Sequence, residues 1–325
     1  MTALLEAFAA LPKPSTVGSY AAEPARGQRC RVGRSAEGHP AVLIAFKHEV
    51  GSTAIRLATL DYRPPAEVEV FGGGAARARL AILECKTTDP QLIGYFFRVV
   101  DAVVFRDART EDEAIFASAL DAIVTLFRAL QRPGMRTVQG LWTELAIILW
   151  SSNPATAASA WHSNIHGLHD FSAGSFRLEV KSTLKDLREH SFMLDQLSSM
   201  SPGITLIASV LLVEESGGTS VMGLVEMIRA RIVGATDVER RIEVIVGESL
   251  GQSWKEADAI RFDLESARES LRIYAADKVP TIPQPLPVGV KDVRFTADLS
   301  DVEWLETSAA RGISNLYADL LPVGG

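Results

Sequence analysis

Short apolar runs bounded by glycine, proline and polar clusters dominate residues 28–86. They are AVLIAF (41–46), AIRLATL (54–60), VEVF (68–71) and ARLAILEC (78–85). Runs of this length and punctuation predict β-strands. FGGGAARA, between the last two, predicts a hairpin turn. It lacks the Gly-Lys-Ser/Thr ending of a phosphate loop, which speaks against nucleotide binding there. From Pro90 the apolar spacing turns helical: QLIGYFFRVVDAVVF, then EDEAIFASALDAIVTLFRAL with an acidic first turn. Pro133-Gly134 ends that pattern, and a further helix is expected over roughly 136–151. A short helix follows near 155–162, then strands at 168–172 and 176–182 joined by Ser-Ala-Gly-Ser. A third strand is expected at 188–192 and a short helix at LDQLSSM (194–200). ITLIASVLLVEE is a continuous apolar run of the buried-strand kind. TSVMGLVEMIRARI (219–232) is amphipathic and helical. Two helices around 237–262, a strand-like RIYAADKVPTI and a proline-rich connection at 280–287 complete the chain. The stretch from about 136 to 214 therefore runs helix, strand, strand, strand, helix, strand.

Composition bounds the class. The chain has 325 residues, 47% hydrophobic and 22% charged, which suits a soluble globular protein of two or three domains. Cys30 and Cys85 are far apart and have no metal-ligand spacing. That fits a reducing compartment, and the protein is expected to be cytoplasmic. MTALLEAFAALPKPS has no basic start and is interrupted by Glu6, so a short amphipathic helix is expected rather than a signal peptide. No run reaches the ~18 apolar residues of a membrane span. The net charge of −7 argues against a surface coated for non-specific nucleic-acid binding. It leaves room for an enzyme that gathers its cations in one cleft.

The chemistry gathers in HDFSAGSFRLEVKST, residues 169–183. Side chains alternate across a strand, so Phe176, Leu178 and Val180 share one face and Arg177, Glu179 and Lys181 the other. Asp170, just before the turn, falls on the neighbouring strand close to Glu179. Two carboxylates so placed repel unless a cation lies between them. Mg²⁺ suits them, because it takes oxygen ligands and keeps several waters. Lys181 would orient the attacking water and offset charge on a phosphate. In LWTELAIILW, Glu144 lies within a helical stripe of Leu141, Leu145 and Ile148. A core-facing glutamate needs a partner, and the same cation is one it could reach.

Other readings compete with this one. Glu-x-Lys is a common pattern, and a cross-strand salt bridge is the plain explanation for Glu179 and Lys181 alone. AILECKTT (81–88) carries the same alternation, with Glu84 and Lys86 on one face. It has no Asp before a tight turn and no nearby helical acid, so a solvated strand end is expected there. Histidines cluster at His162, His166, His169 and His190. His162 and His166 would share a helical face and suit Zn²⁺, but Asn164 and Gly167 argue against a continuous helix. Arg177, Lys185, Arg188 and His190 are expected phosphate contacts, with Arg132 and Arg136 flanking the helix of Glu144. Each is equally explained as ordinary solvated charge.

Glu144 on a helix, Asp170, then Glu179-Val180-Lys181 resembles the PD-(D/E)XK nuclease superfamily. The phrases TELAIIL, HDF, LEVKST, REHSFMLDQL and VPTIPQPLPVGV are similar to a bacterial branch of it associated with restriction-type defence operons. His169 stands where the motif name has proline. The resemblance implies an α/β protein with a restriction-endonuclease-like αβββαβ core over 111–232. A strand-rich region at 1–110 and a mixed C-terminal region at 233–325 would flank it. It implies Asp170, Glu179 and Glu144 as metal ligands, Lys181 as the catalytic lysine and Gln196 as a supporting residue. The expected activity is Mg²⁺-dependent endonucleolytic cleavage of DNA in phage defence, with Mn²⁺ able to substitute. A double-strand cut would need two sites and hence a homodimer, and other defence-operon proteins are further candidate partners. The alternative is a non-cleaving subunit that keeps the nuclease fold to bind DNA or assemble.

Overall fold

The computed structural model describes residues 3–25, 29–49, 51–72, 75–105, 112–130, 137–162, 168–197, 203–254 and 256–322. The chain divides into two compact units, Met1–Arg132 and Pro133–Gly325.

The first unit begins with α1 (Ala3–Ala10). Six strands follow: β1 (Tyr20–Pro24), β2 (Cys30–Ser35), β3 (Pro40–Ile44), β4 (Ile55–Arg56), β5 (Leu60–Phe71) and β6 (Ala75–Cys85). They pair in the order β1-β2-β3-β6-β5-β4, and β1 also pairs in parallel with the far end of β5. The sheet thus closes on itself, which leaves β1 no open edge. Tyr20, Ala41, Leu43, Val68, Val70, Leu80 and Ile82 fill its core. Helix α2 (Pro90–Val100) starts where Asp89 accepts from the Gln91 N–H and Pro90 takes the first turn. A π-helical turn, Asp101–Phe105, follows it. Helix α3 (Glu113–Ala129) completes the unit. This helix lies within the first unit, which ends at Arg132.

The second unit contains, in order, α4 (Val138–Trp150), α5 (Pro154–Ala160), β7 (Phe171–Ala173), β8 (Phe176–Thr183), β9 (Glu189–Met193), α6 (Leu194–Leu197) and β10 (Ile204–Leu211). It continues with β11 (Glu214–Ser220), α7 (Val221–Arg231), α8 (Thr236–Leu250), α9 (Glu256–Ala259), β12 (Arg261–Phe262) and α10 (Leu264–Glu269). Strands β13 (Arg272–Ala275) and β14 (Arg294–Asp298) and helices α11 (Thr307–Gly312) and α12 (Asn315–Leu320) end it. The central sheet has the order β13-β10-β8-β7. β8 and β10 run parallel, with Ile207 beside Glu179 and Ser209 beside Lys181. Every residue of α4 from Leu141 to Trp150 is buried, so this is a core helix rather than an amphipathic one.

One expectation changes here. The third strand, β9, does not join the central sheet but pairs with β14. The segment after residue 232 also contributes to the core of the central sheet. β13 is the partner of β10, and Ile242, Ile245 and Val246 of α8 sit in the same core as Leu178, Leu206, Ala208 and Val210. The opposite face of the sheet is covered as well. Ile207 and Tyr274 there pack with Phe192, Ala297 and Leu299 of the β9–β14 ribbon and its flank.

The starts of the parallel strands are tied together from the C-terminal side. The Tyr317 hydroxyl lies 2.8 Å from the carbonyl of Arg177 and 2.7 Å from that of Ile204. At the start of β10, the Ile204 N–H donates to the Ser175 carbonyl at 3.0 Å. A Cβ on Gly203 would lie 2.0 Å from that Ser175 oxygen. Gly203→Ala is therefore expected to cost more than about 2 kcal/mol in urea unfolding. Gly217→Ala, whose Cβ would meet nothing within 4 Å, is expected to change stability by less than about 1 kcal/mol.

Candidate active site

A tight hairpin builds the site. Ala173 pairs with Phe176 and Phe171 with Leu178, so Gly174 and Ser175 form a two-residue turn. Gly174 has φ +58°, which a turn of this type needs at its first central position. Continued by one residue, the register sets Asp170 opposite Glu179. Its Oδ2 accepts from the Val180 N–H at 2.8 Å, which holds the aspartate against the strand carrying the glutamate.

Around Glu179 the polar groups interlock. Lys181 Nζ donates to Glu179 Oε1 at 2.7 Å. Gln196 Nε2 donates to the same oxygen at 2.6 Å and to the Leu168 carbonyl at 3.2 Å. Gln196 Oε1 accepts from the Met193 N–H at 2.9 Å and lies 3.4 Å from Lys181 Nζ. His169 Nε2 is 3.0 Å from the Gln196 carbonyl. Lys181 also sits 5.2 Å from the centre of the Phe192 ring, a favourable cation–π placement. The Glu179 face is thus no wet face: Glu179 is only 4% exposed.

One atom stands apart in this network. Glu179 Oε2 is buried without a hydrogen-bond partner, which costs roughly 1–3 kcal/mol or more for a charged group. Burial first, and then the neighbouring Asp170 charge, raise the Glu179 carboxyl to about 8, against the opposing pull of Lys181 and Gln196. A hard divalent cation would supply what the two carboxylates lack, so the donor set fits Mg²⁺.

Glu144 stands on α4, the core helix that packs beside the hairpin. It is buried, and its Oε2 accepts from the Trp161 indole N–H at 2.6 Å. Among the described residues, Glu37, His39 and Glu84 form the one group of three whose ligand atoms lie within 4.8 Å of one another. Glu144, Asp170 and Glu179 do not form such a group. Trp161 was not anticipated, and no periodicity marks it.

The other cations separate into two kinds. Arg188 and His190 are buried and are corrected as phosphate contacts. Arg188 donates to the carbonyl and hydroxyl of Ser209, both at 2.8 Å, and to the Ser270 carbonyl. His190 Nε2 is 2.7 Å from the Ser209 hydroxyl. Its pKa is lowered to about 4 by burial, with Lys181 and Arg188 adding to the shift. Arg177 is half-buried, and Lys185 is exposed and paired with Glu189 at 2.9 Å. Arg132, Arg136 and His166 lie outside the described residues. Of the remaining histidines in that run, His162 contacts the Ser172 hydroxyl and His169 the Gln196 carbonyl, so no zinc cluster forms among the described residues.

The look-alike is also corrected. Glu84 is not a solvated strand end but a buried residue of the first unit. Its Oε2 accepts from the Tyr20 hydroxyl at 2.6 Å and from Arg63, and its Oε1 lies 3.0 Å from His39 Nδ1. Asp61 sits opposite it on β5, so acids do lie beside it. Both of its oxygens are satisfied and its charge is balanced by Arg63.

A family model described as "Putative PD-(D/E)XK family member" (DUF4420) matches residues 6–300. The chain belongs to this family. No curated protein and no solved structure matches it significantly. Membership in the PD-(D/E)XK family makes the protein nuclease-like, in a class whose sites generally use divalent metals. No helix among the described residues is long and apolar enough to cross a membrane.

The raised Glu179 pKa links stability to pH. In the folded chain this group holds its proton up to about 8, against an ordinary value of 4.5. Its contribution is fully favourable below about pH 4.5 and is lost as pH rises through about 8. Glu179→Gln keeps the shape and cannot ionise. In chelator, it is expected to be more stable than wild type by ~1–3 kcal/mol at pH 8. That gap should close towards pH 5 in thermal melts. An equal offset at both pH values would show that ionising Glu179 carries no cost.

Proposed function

We propose that this protein is a metal-dependent DNA endonuclease that hydrolyses phosphodiester bonds in the cytoplasm, within a restriction-type phage-defence system. The observation that carries the reading is the buried, unpartnered Oε2 of Glu179, on a carboxylate that faces Asp170 across a hairpin. Asp170 and Glu179 would hold Mg²⁺, or Mn²⁺ in its place. Such a cation, when bound, lowers the pKa of a coordinated water and draws charge from a phosphoryl oxygen. Lys181 offers an ammonium on the same strand face, where it can orient the attacking water and offset phosphate charge. Gln196 keeps Glu179 and Lys181 in register by bonding to both.

DNA is the substrate that the family's nuclease-like character favours. Arg177 and the exposed Lys185 are the candidate phosphate contacts, since Lys185 can exchange its Glu189 partner for a phosphate oxygen. The run α4, β7, β8, β9, α6, β10 supports a restriction-endonuclease-like core in chain order, with β9 displaced into the ribbon. Cutting both strands needs two sites, so a homodimer is expected, with other defence-operon proteins as further partners.

Plasmid cleavage with Mg²⁺ or Mn²⁺ tests this directly. Glu179→Ala and Lys181→Ala are each expected to lower the rate on the order of 10²-fold or more. Activity that survives both substitutions would sink the site assignment. Tight binding of uncut DNA by the wild type would favour the non-cleaving subunit instead.

A further inference from the structure

We infer that Trp161 and Glu144 form a positioning pair that sets the place of Asp170, so that Glu144 serves the metal centre as an anchor and not as a ligand. The inference rests on the proposed two-carboxylate centre and adds to it. Its links are all short. The Trp161 indole N–H donates to Glu144 Oε2 at 2.6 Å, with both residues buried. The Trp161 backbone bridges Phe171 in antiparallel fashion. The next N–H, that of His162, donates to the Asp170 carbonyl at 3.0 Å. The chain before β7 therefore runs alongside Asp170 and Phe171, and the indole fastens it to α4.

Helix α4 is itself fixed on the catalytic strand. Its residues pack in one core with Leu178 and Val180, and Gln139 Nε2 donates to the Ser182 hydroxyl at 3.2 Å. The strand that carries Glu179 and Lys181 and the segment that carries Asp170 are thus both referred to α4. The first link is direct packing and the second is the indole–carboxylate bond. A charged acceptor makes that bond stronger than a neutral one, and burial shields it from competing water. This accounts for a glutamate in an otherwise apolar helix without giving it a place among the cation's ligands.

The two roles for Glu144 predict different outcomes. Glu144→Gln keeps an acceptor for the indole N–H and loses the negative charge. Glu144→Ala loses both, and Trp161→Phe removes the donor while keeping an aromatic ring. Mn²⁺ binding to the purified full chain is measured by calorimetric titration, with metal-free melting curves as the folding control. Glu144→Gln is expected to bind within about twofold of wild type. Glu144→Ala and Trp161→Phe are each expected to bind roughly 10-fold more weakly. The double variant Glu144→Ala with Trp161→Phe should be no weaker than either single change, because one link is broken in all three. Glu144→Gln binding as weakly as Glu144→Ala would overturn the inference and make Glu144 a ligand. Wild-type affinity in folded Trp161→Phe would overturn it too. Wild type that binds no Mn²⁺ would instead remove the metal centre itself, a failure of the proposed function that this comparison keeps separate.

Discussion

The second unit is organised around one buried carboxylate. Glu179 lies on a strand whose two faces are both covered, by helices on one side and by the β9–β14 ribbon on the other. A charge in that position is costly unless it is compensated. The surrounding structure compensates it in part. Lys181 and Gln196 share one oxygen, Asp170 adds a second negative charge, and the other oxygen has no hydrogen-bond partner. Such an arrangement leaves the carboxylate incompletely compensated within the protein. The ribbon takes part as well, because Phe192 packs against Lys181, the cation paired with Glu179.

Two strands of this chain carry the same Glu-x-Lys alternation and end in opposite electrostatic states. Glu84 is buried like Glu179, yet Tyr20, Arg63 and His39 satisfy both its oxygens. Its lysine, Lys86, turns away to the Leu57 carbonyl at 2.6 Å. In Glu179 the paired lysine stays on the carboxylate and a second acid faces it. Burial alone therefore does not distinguish the two glutamates. The difference lies in whether the protein itself supplies enough donors and positive charge.

Arginine and histidine near the centre show how readily chain proximity misleads. Arg188 and His190 lie a few residues beyond Lys181, but strand β9 turns them inward on Ser209. A buried guanidinium that donates to the Ser209 carbonyl and hydroxyl and to the Ser270 carbonyl is committed to the fold. Lys185 beside them is exposed instead and pairs with Glu189. Both kinds of residue look the same in a charge pattern, since neither the sign nor the spacing reports which way the strand faces.

Local spacing was enough to predict most elements of the second unit and the meeting of Asp170, Glu179 and Lys181. Asp170, Glu179 and Lys181 fall within twelve residues and are brought together by a hairpin whose alternation and turn glycine can be read directly. Periodicity also marked Glu144 as a polar residue in an apolar helix. It could not say what the glutamate bonds to, because Trp161 reaches it through the fold and not through the helix. The pairing of β9 with β14, the entry of β13 into the central sheet and the closure of β1 on β5 were equally out of reach. Those contacts join segments tens to about a hundred residues apart. A hydrophobic pattern records that a face is buried and not which distant segment buries it. The sequence by itself determined where the site's charges lie along one hairpin. Only the tertiary structure decided that Glu179 would be buried, and that burial leaves one of its carboxylate oxygens without a hydrogen-bond partner.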